Sequence, residues 1–490
     1  MHQLTKTNFI QYLNCPESLW LLKNKPDNYP KSEFSLFLEK LIKEGYEVET
    51  YAKILFANSL DLPENATPEY TKSQLKSNHD FYFQPSFITT KGVFARVDVL
   101  EKLEDGSFHI YEIKSSTSIK KDKKHNHLKD ACFQKYVLQE NGYTVSKASI
   151  IHLDKTYIKQ GEISPNELLE IDEITDALNN LYSSVVNDIN AASNFINKEV
   201  INENKCSCKY NTRSNHCDSF TYFNKDIPIY SIYEIGHIRA KKINMLVDNN
   251  QLSILDIPVG FDLNDNQQLQ VESVRQQQAL IDKPAIKKEL EKLKFPLHFI
   301  DYETYASAIP KIDGLSPHRH LTFQVSIHTL SESGTLTHSE YLAEAMELND
   351  DMLIQIHEFT GFTGTFISWH ASFEVSRNND MIQWLPKHTD YLTYMNEHMF
   401  DLETIFKKQY IDYRFHGSSS IKKVQPVIVP NLSYSKLDVQ NGTMALDTWG
   451  RMVSDSNFKE DILQTRKNLL AYCELDTLAM VEIYKELKQL

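Results

Sequence analysis

Apolar residues recur at helical spacing through the first 60 positions, most clearly in FLEKLIKEGYEVETYAKILFANS, where Gly45 is a point of interruption. Between residues 80 and 115 the period changes to two, in FYFQPSFITT, VFARVDVLEKL and SFHIYEIKSS. The turn signal Glu104-Asp105-Gly106 separates the last two, which predicts a hairpin within a sheet. A helix is expected around Leu128–Asn141, a strand over KASIIHLDKTYI, and helix over residues 165–200. Residues 226–292 are polar and mostly helical in pattern, and Pro296 opens a new strand-like run, PLHFIDYETYA. A second αβ pattern then runs to the terminal helix LLAYCELDTLAMVEIYKELKQL. The predicted fold class is α/β, with an αβ domain over 1–225, a helical connector over 226–292 and a second αβ domain over 293–490.

A chain of 490 residues is too long for one hydrophobic core, which agrees with that division. No run of about 18 apolar residues occurs, so no membrane span is expected. The first 20 residues lack the pattern of a signal peptide, and six cysteines do not make a disulfide scaffold; cytoplasm is the expected compartment. A net charge of −14 argues against a protein that simply coats nucleic acid. It is compatible with an enzyme that gathers carboxylates around divalent metals and keeps its basic residues local.

Two groups of residues carry chemistry. In ARVDVLEKLEDGSFHIYEIKSS, Asp98 ends one strand, and Glu112 and Lys114 share a face of the returning strand. Two carboxylates can hold a divalent metal such as Mg²⁺ or Mn²⁺, and a lysine beside them can stabilise developing negative charge. An isolated pattern of this kind is also common as a surface ion pair. Glu49, on the preceding helix, is placed to complete the site, and Gln134 and Tyr136 start a helix after it. Between them Lys120, Lys121, Lys123 and Lys124 form a basic loop, read either as solvated or as a contact for a phosphate backbone.

The second group begins with Asp301 and Glu303 on one strand face. Glu374 follows a strand near a helix start, and Tyr472 and Asp476 lie four apart on the final helix. Four acids of this kind can hold two metals for phosphodiester hydrolysis, with the tyrosine bonded to the attacking water. Asp401 is either a further acid or the cap of the helix after it. HGSSSIKKVQP offers Ser420 and Lys422 on a turn, for substrate phosphate or as an ordinary polar loop.

The order helical Glu, D…ExK, then a Gln-bearing helix resembles the RecB-like branch of the PD-(D/E)XK nucleases over residues 1–220. That resemblance implies a restriction-endonuclease-like domain with Glu49, Asp98, Glu112 and Lys114 catalytic and Gln134 in support. Iron–sulfur members of the branch, such as CRISPR-associated adaptation nucleases and AddB-type nucleases, use one N-terminal cysteine and three beyond the nuclease core. By that pattern Cys15 would join Cys206, Cys208 and Cys217, from KCSCKYNTRSNHC, around a 4Fe-4S cluster. The C-x-C-x8-C spacing departs from the branch, and His216 beside Cys217 leaves a Cys3His zinc site as the alternative.

Residues 295–490 resemble the ribonuclease-H-like DEDD 3′–5′ exonucleases with tyrosine in the last motif, departing at Glu374, where Asp is usual, and at His370. The whole chain resembles an uncharacterised bacterial family that joins such a nuclease domain to a C-terminal domain of unknown function. The expectation is a metal-dependent nuclease with two candidate active sites, acting on DNA rather than RNA. Its alternatives are a nucleic-acid-binding scaffold with degenerate sites and an RNA-processing exonuclease.

Overall fold

Phe108–Ile113 and, from Ala148 on, Val145–Leu153 are buried on both faces and pair in parallel inside a six-stranded sheet. The computed structural model describes residues 2–31, 36–122 and 125–490 and is a mixed α/β structure. It divides into two units, Met1–Asp226 with Ser307–His318, and Ile227–Ala306 with Arg319–Leu490.

The six-stranded sheet of the first unit runs in the order Ser59–Asp61, Phe81–Phe83, Val99–Lys102, Phe108–Ile113, Val145–Leu153, Leu169–Glu173. Leu100, Ile110 and Ile150 point to one face, into a core built with Phe9, Phe133 and Val185 from the helices Lys6–Asn14, His127–Glu140 and Thr175–Ile196. Their neighbours Val99, Tyr111 and Ile151 point to the other face, against Val48 and Ala52 of the helix Leu36–Ile54. That helix runs unbroken through Gly45. Ala308 and Ile309 complete the second core, so the excursion 307–318 is part of this unit although it lies between two strands of the other.

In the second unit a five-stranded sheet has the order Leu336–Leu342, His320–Leu330, Leu297–Ala306, Thr365–Ser368, Met399–Asp401. The first three strands are antiparallel and the last three parallel. The final helix, Ile462–Lys488, packs Met480, Val481 and Tyr484 against Leu297 and Phe299. Gly364, at φ +70°, turns the chain into the Thr365 strand; a Cβ there would lie 1.9 Å from the Pro296 carbonyl oxygen.

Several expectations are corrected. Residues 165–200 are not all helix: Leu169–Glu173 is an edge strand whose residues after Leu169 are all exposed, so it lacks the alternation that marks a half-buried strand. FYFQPSFITT is two short strands broken at Gln84, which has φ +55°, and Pro85. Residues 227–292 are counted with the second unit, as short helices such as Asp265–Gln276 and Lys283–Leu290 plus a strand, Leu280–Ile281, paired with Tyr410–Ile411. No described helix is long and apolar enough to cross a membrane.

Candidate functional site

In the first unit the hairpin brings Asp98 under Glu112. Asp98 follows Val93–Arg96 and its Oδ2 accepts from the Ile113 amide at 2.8 Å. Glu112 is buried, and Lys6 at 2.5 Å and Lys114 at 2.7 Å both donate to its Oε1, while Gln134 donates to Oε2. Lys114 also donates to Asp130 Oδ2 at 2.7 Å. Burial works against the charge on Glu112, but Lys114 and Lys6 outweigh it and hold its pKa down at about 2. Burial, and then repulsion from Glu112, push Asp98 up to about 7. Asp130 Oδ1 and Gln134 Oε1 are buried with no hydrogen-bond partner among the described residues, so acceptor oxygens without donors lie beside Glu112. That surplus fits a cation or a water.

Glu49 is linked to this group through Gln84. Its Oε1 accepts from Gln84 at 3.0 Å and lies 3.5 Å from Lys53, and Gln84 in turn donates its amide to the Asp98 carbonyl. Lys120 and Lys121 are exposed; the Lys120 amide donates to His127 Nδ1, and Lys121 pairs with Asn126. Lys123 and Lys124 lie outside the described residues. Lys6 and Asp130 were missed by motif reading. Asp130 and Gln134 are four apart on one helix, a signal that was available; nothing in the local sequence marks Lys6.

Cys15, Cys206, Cys208 and Cys217 bring one sulfur each within 4.8 Å of the others and could bind a metal. All are free thiols. Cys15 sits between the helices Lys6–Asn14 and Pro16–Asn24, and the other three occupy a loop after Thr175–Ile196. Polar bonds hold the two segments together: Trp20 Nε1 donates to the Lys198 carbonyl at 2.8 Å, and Ser207 donates to Glu17 from its amide and its hydroxyl. Asn224 donates to Cys206 Sγ at 3.3 Å, a bond that stabilises a thiolate. His216 stacks on Phe220 at 3.5 Å and its Nε2 lies 3.3 Å from the Asn211 carbonyl; it is not among the gathered ligand atoms.

In the second unit Asp301, Glu303 and Asp476 place carboxylate oxygens within 4.8 Å of one another. Strand periodicity puts the first two on the face that meets the final helix, which contributes Asp476 and, one turn earlier, Tyr472. A bulge between Glu303 and Thr304 breaks the register with the neighbouring strand at this point. Glu374, in the first turn of Ser372–Trp384, lines the same cavity as these residues, Ser420 and Lys422, and accepts from Ser368 Oγ at 3.1 Å. Gly442 begins a helix beside Glu303; a Cβ there would lie 3.3 Å from Glu303 Oε2.

Burial first, and then mutual repulsion, raise the acids: Glu303 to about 8, with Asp301 well above the carboxylate range. Burial takes Asp476 to about 6 and Glu374 to about 7. Lys422 is the cation that offsets Glu303 and Asp476. It lies on the helix Ile421–Ile428 rather than on a turn, and donates to Tyr472 Oη at 3.2 Å. Several buried carboxyls converging on one point, with one lysine against them, is a donor set that fits a hard divalent cation.

Tyr434, which no motif marked, donates to Asp476 Oδ1 at 2.5 Å. Asp401 Oδ1 accepts from the amides of Glu403 and His370, so it holds the start of the helix Glu403–Lys408 and anchors the His370 backbone. His370 itself, at φ +72°, turns its ring to Glu403 at 3.0 Å.

The family model described as "Domain of unknown function (DUF2779)" matches residues 298–420. That span includes Asp301, Glu303, Glu374 and Ser420 and stops before Tyr472 and Asp476. The chain is 28% identical over 216 residues to a Mycoplasma pneumoniae protein described as "Uncharacterized protein MG366 homolog". The match takes in 39% of this chain and 32% of that protein, so the chain spans about a third of the length of the relative to which it is similar.

Proposed function

We propose that this chain is a metal-dependent nuclease whose second unit hydrolyses phosphodiester bonds of DNA, in the manner of the DEDD exonucleases it resembles. The observation that carries the reading is the convergence of Asp301, Glu303 and Asp476 within 4.8 Å in a cavity that Glu374 also lines. Bound Mg²⁺ or Mn²⁺ would polarise the scissile phosphate and lower the pKa of water at these acids. Asp301, Glu303, Glu374 and Asp476 would hold the cation as carboxylates, giving up the protons that burial favours on them. Tyr434 fixes the orientation of Asp476 through Oδ1. Tyr472 accepts from Lys422 and gives its own hydroxyl proton to Asp476, so it too holds that acid in place. Lys422 and Ser420, at the mouth of the same cavity, supply positive charge and a hydroxyl for a phosphate oxygen.

The test is incubation of purified protein with Mg²⁺ or Mn²⁺ and end-labelled single- and double-stranded DNA and RNA. Cleavage of DNA that Asp301→Ala abolishes supports the reading, and cleavage of RNA alone moves it to the RNA-processing alternative. Failure to cut any substrate removes it.

In the first unit Glu112 is already neutralised by two lysines, which favours a second reading there: a nucleic-acid-binding site without hydrolysis. Residual cutting in Asp301→Ala that Asp98→Ala then removes would instead assign hydrolysis to both sites, as the PD-(D/E)XK resemblance implies.

For the four cysteines the resemblance supports a 4Fe-4S cluster. Their compact spacing favours a single tetrahedral ion, since Zn–S bonds of ~2.3 Å set sulfurs ~3.8 Å apart, whereas a four-iron cube holds its thiolates farther apart. Absorbance of anaerobically purified protein separates the two: a broad band near ~400 nm marks thiolate-ligated iron–sulfur, and a colourless, zinc-containing sample marks the other.

A further inference from the structure

A second group of ligand atoms lies on the same sheet of the second unit, outside the carboxylate cluster. His328 and His338 are directly opposite each other on the antiparallel strands His320–Leu330 and Leu336–Leu342. Glu474, on the final helix, meets them, and one ligand atom from each of the three lies within 4.8 Å of the others.

The hydrogen-bond chain behind these imidazoles fixes which nitrogens carry protons. Thr477 Oγ1 has one proton and donates it to the Glu474 carbonyl at 3.1 Å. It therefore accepts from its other two neighbours, His328 Nδ1 at 2.8 Å and Ser326 Oγ at 2.7 Å. Ser326, having given its proton to Thr477, accepts from His338 Nε2 at 2.9 Å. Both rings are thus protonated on the side that faces the hydroxyls. His328 Nε2 and His338 Nδ1 are left as bare lone pairs, the latter 3.9 Å from Glu474 Oε1. Imidazoles that bind metals have the outer N–H bonded to a second group and the inner nitrogen free; here the two rings stack with centroids 4.3 Å apart, so one ring turns out of the stack for both lone pairs to meet a single ion. A further acid is at hand: Glu340, two residues from His338 on the same strand face, has its Oε2 buried with no hydrogen-bond partner among the described residues.

We propose that His328, His338 and Glu474 form a binding site for a divalent ion of the zinc type, with Glu340 as an additional oxygen donor. Two imidazole nitrogens and a carboxylate select such an ion over Mg²⁺ or Ca²⁺, which take oxygen ligands. The site would tie the edge hairpin to the helix that carries Tyr472 and Asp476, and it stands whether or not the carboxylate cluster is hydrolytic.

The test is zinc titration of the full-length protein, its cysteine site filled as purified, in excess Mg²⁺. Wild type is expected to take up one more zinc per chain than either His338→Gln or Glu474→Gln, or to bind that zinc about tenfold or more tightly. Zinc should raise the melting temperature of wild type and not of the variants. Cu²⁺ bound in its place should show electron-spin coupling to two nitrogens in wild type and to one in His338→Gln. Equal zinc uptake and affinity in wild type and both variants would overturn the proposal, as would copper spectra that do not differ. Glu474 is half exposed, so Glu474→Gln carries the test if His338→Gln fails to fold.

Discussion

Replacing Glu303 by Gln should stabilise the protein in chelator while abolishing any hydrolysis that depends on the cluster. In the folded chain burial, Asp476 and Glu374 hold the Glu303 pKa at about 8, against 4.5 for the ordinary side chain. Between pH 4.5 and 8 the unfolded chain has therefore lost a proton that the folded chain keeps. The unfolded state binds fewer protons, so stability falls as pH rises, by up to about 1.4 kcal/mol per pH unit. By pH 7 this one residue costs about 3 kcal/mol. Repulsion is shared among the coupled acids, so one substitution should recover about 2 kcal/mol. In a unit of this size that is a rise of about 4–8 °C in melting temperature. Scanning calorimetry in chelator at pH 4.5 and pH 7 measures it, with the gain present at pH 7 and absent at pH 4.5. Adding Mg²⁺ at pH 7 should raise the melting temperature of wild type more than that of Glu303→Gln. A variant that is destabilised at pH 7, or a gain that persists at pH 4.5, would refute the idea that the acids repel one another across a cation site.

Further outcomes follow from the same geometry. Lys6→Met removes one of the two cations holding Glu112 at about 2, so that carboxyl should protonate at higher pH. Stability from this depressed carboxyl is present above its ordinary pKa of 4.5 and lost as pH falls toward 2, so acid unfolding of the first unit should begin at higher pH in the variant, by circular dichroism. Tyr434→Phe removes the donor to Asp476 Oδ1; rates of metal-supported cleavage should fall about tenfold, and equal rates would show that the bond does not orient the acid. Cys15→Ser should lower the metal content of the purified protein and the melting temperature of the first unit, leaving the second transition in place. A single shared loss of both transitions would contradict independent units.

Motif reading worked where a few neighbouring residues decide the outcome. Asp301 and Glu303 share a strand face, and Tyr472 and Asp476 a helix face, because periods of two and 3.6 are properties of the backbone itself. It missed Leu169–Glu173, whose side chains after the first residue are all exposed, so no alternation records the strand. It put Lys422 on a turn, because GSSS masks the helix that starts at Ile421.

From the sequence by itself came the α/β class, the periodic elements and the faces on which the paired acids stand. Tertiary structure alone decided which of those faces meet. Lys6 reaches Glu112 across 106 positions, Tyr434 reaches Asp476 across 42, and Cys15 joins a loop some 190 residues away. It also sets His328 against His338 and swings Glu474 over both. Local periodicity is written into neighbouring residues, whereas such encounters depend on strand register and helix packing, which emerge only when the apolar faces are buried together.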